Sequence, residues 1–360
     1  MYKGTGISKD QLSDDGEPCI LYGELYTKYK SETIREVISK TNIDNTKLVR
    51  SKANDVIIPC SGETAEDIAT ARCVLNGNIL LGGDLNIIRL HGYDGAFMSY
   101  QLNGRRKYEI AKVAQGVSVV HLYGEHLKGV KTINPCLEEQ KKIASLLALL
   151  DERIATQNKI IDKLQSLIKG IVDCTILRKE KNAIVGDVCS ISEQIRAEAN
   201  IDDIITVRLH GNGVCKSSAE NLQLGATQYY RRRAGQLIYG KQNFHNGAIG
   251  IVPISLDNGI TSKDIPSFDI DEMKCNSVYL LAQLQSPQYY KPAEALTTGT
   301  GSKRLKEETF LKMPIVLPNK REQDNIAVLI HRASMNLDYA KRLLELLSIQ
   351  KQFLLRQMFI

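Results

Sequence analysis

The chain has no run of residues long and apolar enough to cross a membrane as a helix. Its first residues, Met1 to Asp10, lack the charged-then-apolar order of a secretory signal, so the cytoplasm is the expected compartment. None of the eight cysteines (Cys19, Cys60, Cys73, Cys136, Cys174, Cys189, Cys215, Cys275) stands in a C-x-x-C pair, and the six histidines do not gather near them. That argues against a zinc module. Nor does the spacing resemble a disulfide framework, so reduced, mostly buried thiols are expected. Charge of one sign is not in large excess: 47 Lys and Arg against 41 Asp and Glu leave +6, with a pI of about 8.7. This balance permits a polyanionic partner without demanding one.

Catalytic signatures are also missing. There is no Gly-x-Ser-x-Gly elbow and no Asp/Asn-Pro-Pro-aromatic motif. Thr298-Gly-Thr-Gly-Ser302-Lys303 lacks the spacing of a phosphate-binding loop and its following helix. As a Gly/Ser/Lys loop it can instead touch a nucleic-acid phosphate or be a solvated turn, and Lys3-Gly-Thr5-Gly-Ile-Ser8 reads the same way. His210 and His245 have no nucleophile or metal set around them in the sequence.

What is present is a repeat. Ile143, Leu147, Leu150, Ile154, Ile161, Leu164, Ile168 and Ile171 step in heptads, broken only at Gln157. At an offset of 183 the seam returns as Ile326, Ile330, Ala333, Leu337, Ala340, Leu344, Leu347, Lys351 and Leu354. The residues ahead of each seam match too: Pro135-Cys-Leu-Glu-Glu139-Gln140 becomes Pro318-Asn-Lys-Arg-Glu322-Gln323. The chain is therefore a duplication, each half a globular region followed by a long helix.

Four segments follow: residues 1–136, a helix over 137–179, residues 180–318, and a helix over 319–360. Each helix has a proline near its first turn, with Glu138, Glu139 and Glu322 placed to complement the positive end of its dipole. Forty residues of helix would reach about 60 Å. A heptad seam must face another helix, and antiparallel pairing of the two seams is the simplest route, with a pseudo-twofold axis. The alternative is that each helix packs on its own domain or on another subunit. Lys351 and Gln157 either pin the register or mark fraying. In the globular regions, short β-like runs (Val56–Ile58, Ile79–Leu81, Ile87–Ile88, Val117–Val120; Leu237–Tyr239, Ala248–Val252, Pro314–Leu317) alternate with turn signals. Ala53-Asn-Asp-Val-Ile57 resembles Ala234-Gly-Gln-Leu-Ile238, and Gly116 and Leu122 match Gly299 and Leu305. The helices agree while the globular surfaces diverge, as expected of two related domains that read different things.

Basic and aromatic residues mix in both halves. Tyr229-Tyr230-Arg231-Arg232-Arg233 is followed by Lys241, Gln242 and Asn243. The first half offers Tyr22, Tyr26, Lys28, Tyr29 and Lys30, then Arg50 and Lys52. Arg105, Arg106 and Lys107, and Lys303 with Arg304, add positive loops. Lys and Arg supply salt-dependent attraction to phosphates, and loop Arg, Lys, Gln and Asn can read base edges. Taken singly, each is equally a solvated surface charge.

At this point the chain resembles the specificity subunit of type I restriction-modification systems. The resemblance rests on the alternation of globular region and helix, on Pro-x-x-x-Glu-Gln-x-x-Ile-Ala at Pro135–Ala144 and Pro318–Ala327, and on Leu146 to Lys169. It rests also on Lys3 to Ser13 and Cys19 to Tyr26, which are similar to the opening of a target-recognition domain. It implies an α+β protein: two duplicated target-recognition domains of mixed β with short helices, joined by two long antiparallel helices in a coiled coil. It implies that each domain reads one half of a bipartite double-stranded DNA site, half-sites about a helical turn apart. The helices would set the gap and dock two methyltransferase subunits, and a restriction subunit can join. S-adenosylmethionine, ATP and Mg would belong to those partners, with no cofactor, metal or catalytic residue in this chain. The second half opens on Ala183-Ile-Val-Gly-Asp187-Val188, a lead-in without counterpart in the first half. That leaves an N-terminal truncation or a lead-in strand replaced by another part of the fold.

Two rival readings remain. One is a non-catalytic scaffold bridging two protein partners through the helices. The other is a nuclease using scattered carboxylates such as Asp55, Glu63 and Asp84.

Overall fold

The computed structural model describes residues 1–44, 46–116, 119–217, 227–299 and 303–359. It forms two compact units, Met1–Lys159 with Lys341–Ile360, and Ile160–Ala340. The division falls inside each long helix, not at its ends.

The expected helices are there, running Leu137–Val172 and Lys320–Gln357. The seam residues Ile143, Leu147, Leu150, Ile154, Ile161, Leu164 and Ile168, and Ile326, Ile330, Leu337, Leu344 and Leu347, are all buried or half-buried. In the first unit the start of the first helix (Ile143, Ala144, Leu147) packs with the end of the second (Leu354, Leu355, Phe359) around Phe97 and Tyr100. In the second unit the end of the first helix (Val172, Ile176) shares a core with the start of the second (Ile326, Ala327, Ile330). The helices are therefore antiparallel in each unit.

Each unit carries the same central strands. In the first, Tyr2–Lys3, Leu85–Ile88, Asp55–Pro59 and Arg72–Val74 lie side by side, all antiparallel. In the second, Cys189–Ile191, Ser267–Ile270, Leu237–Tyr239 and Ile249–Ile251 take the same order and sense. Tyr2–Lys3 thus holds the sheet position of Cys189–Ile191. The lead-in residues Ala183–Ile184 pair separately with Pro314–Ile315. Near-continuous apolar strands such as Val56-Ile-Ile58 are buried on both faces, as their composition demands.

The sequence matches at Gly116 and Leu122 have a structural cause. Gly116 (φ +120°) and Gly299 (φ +126°) both turn through backbone space that disfavours side chains. A Cβ on Gly116 would lie 2.1 Å from the Val119 carbonyl oxygen. Each turn is closed by an equivalent bridge, Gln115 with His121 and Thr298 with Arg304. Leu122 then donates to the Cys60 carbonyl at 2.8 Å, as Leu305 does to Lys241 at 2.9 Å. Val117 and Ser118 of the expected Val117–Val120 strand lie outside the described residues.

The joint between domain and long helix is built twice from glutamines. A short helix, Gly95–Asn103 or Ser277–Leu284, begins at a side-chain cap, Asp94 or Asn276. Gln140 on the long helix accepts from the Asp94 N–H at 2.9 Å and donates to the Pro135 carbonyl at 2.8 Å. Gln323 accepts from the Asn276 N–H at 2.9 Å and donates to Pro318 at 2.8 Å. On the short helices, Gln101 exchanges two bonds with the backbone of Ile133, both at 2.7 Å. Gln283 faces the backbone of Val316, and with its amide oxygen and nitrogen assigned from their partners it makes the same pair, at 3.1 and 2.9 Å.

One feature is not repeated. In the first unit Lys351 reaches Glu32 at 2.5 Å and Asp151 at 2.6 Å, while the Ser31 and Tyr100 hydroxyls each donate to Asp151 at 2.8 Å. The three charged side chains are 13%, 8% and 9% exposed. The second-unit positions that match Lys351, Asp151 and Tyr100 are Ile168, Ser334 and Ala282, and they carry neither the charges nor the tyrosine hydroxyl of the first-unit set. The polar seam position Lys351 is thus a tie between both helices and the first domain.

Candidate nucleic-acid interface

The matched segments Arg50–Lys52 and Arg231–Arg233 occupy equivalent places. Arg50 bridges to Leu80 and Arg231 pairs with Ile260. Ser51 donates its N–H to Ile79 at 2.8 Å, and Arg232 donates to Gly259 at 2.7 Å. Lys52 and Arg233 each donate a backbone N–H to a side chain three residues on, Asp55 at 2.7 Å and Gln236 at 2.9 Å. Because an extended backbone alternates its side chains, each segment turns its middle residue inward and its outer two toward solvent. Ser51 is 4% and Arg232 0% exposed.

That alternation corrects the reading of the arginine run. Arg232 is a core residue. Its guanidinium donates to the Thr261 hydroxyl at 2.7 Å, the Ser267 hydroxyl at 2.9 Å and the Ile265 carbonyl at 3.0 Å. Burial pushes its pKa down to about 10. Tyr229 is likewise buried, packed with Ile204 and Ile260. Neither can reach DNA, so both leave the candidate contact set, and Arg231 and Arg233 remain.

The other basic candidates fall into two groups. Lys3, Thr5, Ser8, Lys52, Arg105, Arg231, Arg233, Gln242, Lys303 and Arg304 are exposed, as is Tyr22, while Tyr26 and Tyr230 are half-buried. Several are already engaged. Lys28 bridges Glu24 at 2.6 Å, and Arg50 bridges Glu17 at 2.5 Å and reaches the Asn78 side chain at 3.2 Å. Arg106 bridges Glu109 at 2.6 Å, Lys241 bridges Glu307 at 2.6 Å, and Arg304 bridges Asp264 at 3.1 Å. Lys303 lies 3.4 Å from Glu294. Thr5 accepts from the Val49 N–H at 3.0 Å. Arg105 and Arg106 follow Gly104, whose face abuts the Leu355 backbone of the second long helix, so they adjoin that helix end. Ser302 lies outside the described residues.

Arg231 and Arg233 line a polar recess together with Glu193, Gln236, Asp269 and Glu272. Gln236 donates to Asp269 at 2.8 Å. Such a recess can donate to phosphates or guanine edges and accept from a cytosine amino group. Expected outcome: Arg231→Ala with Arg233→Ala leaves the melting temperature unchanged, weakens DNA binding roughly 10- to 100-fold and lowers the log–log salt slope by about 2, read by titration at several salt concentrations.

The carboxylates of the nuclease reading are not assembled. Asp55 is buried and held by Arg89 through bonds of 3.0 and 2.8 Å. Asp84 accepts from the Ser61 hydroxyl at 3.0 Å. Among the described residues no three His, Cys, Asp or Glu side chains gather as a metal-binding group. Cys19, Cys60, Cys73, Cys189 and Cys275 are buried, and burial pushes Cys60 up to about 11 and Cys73 to about 12, leaving them inert thiols. Among the described residues no helix is long and apolar enough to cross a membrane.

No protein-family model matches the chain. Its backbone does follow a solved one, the S subunit of a type I restriction-modification system from M. genitalium. That likeness has a TM-score of 0.65 at 14% identity and covers 100% of this chain and 93% of that one. The chain has the fold of a type I specificity subunit. In sequence it is similar to the type I restriction enzyme MjaVIII specificity subunit of Methanocaldococcus jannaschii, 21% identical over 337 residues covering 85% of this chain and 77% of the relative. The outward basic pairs lie in the globular regions of this chain and not on the helix seams. Sequence patterning located those pairs but could not tell inward from outward. It missed the helix-joining glutamines, although their matched positions were visible in Glu139-Gln140 and Glu322-Gln323.

Proposed function

We propose that this chain is the DNA sequence-recognition subunit of a type I restriction-modification complex. The observation that carries the reading is the equivalent placement of Arg50/Lys52 and Arg231/Arg233 on two domains of one build but divergent surface. Each domain reads one half of a bipartite site, and the paired helices set the spacing. Both helices also carry exposed apolar residues off the seam: Leu146, Leu149 and Leu167 on the first, Leu346, Ile349 and Phe353 on the second, all at least 50% exposed. A second apolar stripe suits helices of methyltransferase subunits. S-adenosylmethionine, with ATP and Mg for any restriction subunit, is held by those partners. The complex works in the cytoplasm, where the DNA is.

The test is co-expression with the cognate methyltransferase in a methylation-free host, followed by mapping of modified adenines. A split motif of two short half-sites at fixed spacing is expected. Stable protein partners on the helices, combined with DNA binding that ignores sequence, would favour the scaffold reading instead.

A further inference from the structure

The turn after Ile249–Ile251 is longer than its first-unit counterpart. In the first unit Val74 leads through Leu75, Asn76 and Gly77 to Asn78 (φ +67°), and in the second Ile251 leads to the equivalent Asn258 (φ +65°). The extra residues are Pro253, Ile254 and Ser255. Ile254 stands at 88% exposure, the most exposed of the large apolar side chains described. Its turn is firm. Leu256 donates to the Pro253 carbonyl at 2.9 Å, Asp257 to Ile254 at 3.2 Å and Gly259 to Leu256 at 3.1 Å. Leu256 is half-buried against the core of Ile205, Val207 and Ile238. The turn is also bound to the basic segment: Ala234 donates to the Asp257 carboxylate at 2.8 Å, Gly235 to the Val252 carbonyl at 2.9 Å and Arg232 to Gly259 at 2.7 Å. A rigid apolar tip is thereby fixed beside Arg231 and Arg233.

We infer that Ile254 reads a thymine of the second half-site by apolar contact with its 5-methyl group. The inference rests on the DNA-recognition reading above and specifies one contact of it. The arginines bring the turn to the duplex, and a β-branched side chain with little rotamer freedom is a suitable surface for a methyl group exposed in the major groove. The first unit lacks the insertion, so the contact belongs to one half-site only.

The experiment uses the full chain in complex with its methyltransferase and a duplex carrying the mapped split site. Each thymine is replaced in turn by uracil, which removes only the methyl group. For the unmodified complex, one substitution in the second half-site is expected to weaken binding about three- to fivefold, the effect of one buried methyl. Ile254→Ala should bind the thymine duplex as weakly as the unmodified complex binds the uracil duplex, and lose nothing further on uracil substitution. Ile254→Val should retain most of the discrimination. Equal uracil penalties in the unmodified and Ile254→Ala complexes overturn the inference while leaving the recognition reading intact, as does a second half-site without thymine on either strand. A complex with no sequence preference overturns the reading and the inference together.

Discussion

Replacing Arg232 with alanine is expected to destabilise the second unit by about 3–5 kcal/mol. The loss has two parts: the space of a fully buried long side chain, and the three hydrogen bonds to Thr261, Ser267 and Ile265, of which acceptors only the Ile265 carbonyl keeps another donor, the Thr261 hydroxyl. For a unit whose net stability is about 5–15 kcal/mol this is a large fraction. Arg232→Lys recovers little, because an ammonium cannot present the guanidinium's planar fork to three acceptors at once. Urea denaturation monitored in the second unit measures the effect. The comparison that decides the assignment is with Arg231→Ala and Arg233→Ala, which leave the urea midpoint in place. If Arg232→Ala unfolds no earlier than those two, the residue is not a core element.

The second large effect is at Lys351. Asp151→Ala leaves the buried ammonium with Glu32 and costs about 3–5 kcal/mol in the first unit. Lys351→Leu leaves two carboxylates close together without their cation and is similarly costly. The double substitution destabilises by less than the sum, with a coupling of about 0.5–3 kcal/mol in a double-mutant cycle. Burial lowers the Lys351 pKa, but Glu32 and Asp151 raise it more, leaving it above the ordinary 10.5. A raised ammonium contributes fully below its unfolded pKa and loses that contribution only as pH climbs through the folded one. The contribution of the Lys351 charge to the penalty of Lys351→Leu is therefore constant from neutral pH to about 10, while both carboxylates are ionised, and is lost in strong alkali. A penalty that vanishes between about pH 7 and pH 9 would contradict this.

Much of this architecture is legible in the residues alone. The 183-residue offset matched not only the helices but Gly116 with Gly299 and Leu122 with Leu305, and each match corresponds to a shared turn. Those features depend on local backbone and on periodicity, which a sequence carries openly. The direction of a side chain on a short strand is different. Tyr229 to Arg233 reads as one basic patch because nothing local says that Thr261, Ser267 and Ile265 will surround the middle arginine. Lys351 was visible as a polar interruption of the seam, but Glu32 and Asp151 lie far from it in sequence. Ile254 gave no signal at all, since a single apolar residue in a turn acquires meaning only when its exposure and its neighbours are known.

The glutamine joints bear on how such a chain changes over time. Gln140 and Gln323 bond to the main-chain N–H of a helix cap, and Gln101 and Gln283 bond to main-chain groups as well. A main-chain group is the same whatever side chain it carries. The hydrogen-bonded part of each attachment therefore constrains only a short helix start and two glutamines, while the apolar packing on the helices and the Lys351 tie fix the inner face of the domain. Substitutions on the outer face of either domain can thus accumulate without disturbing these bonds, because the groups they engage are present whatever the side chain.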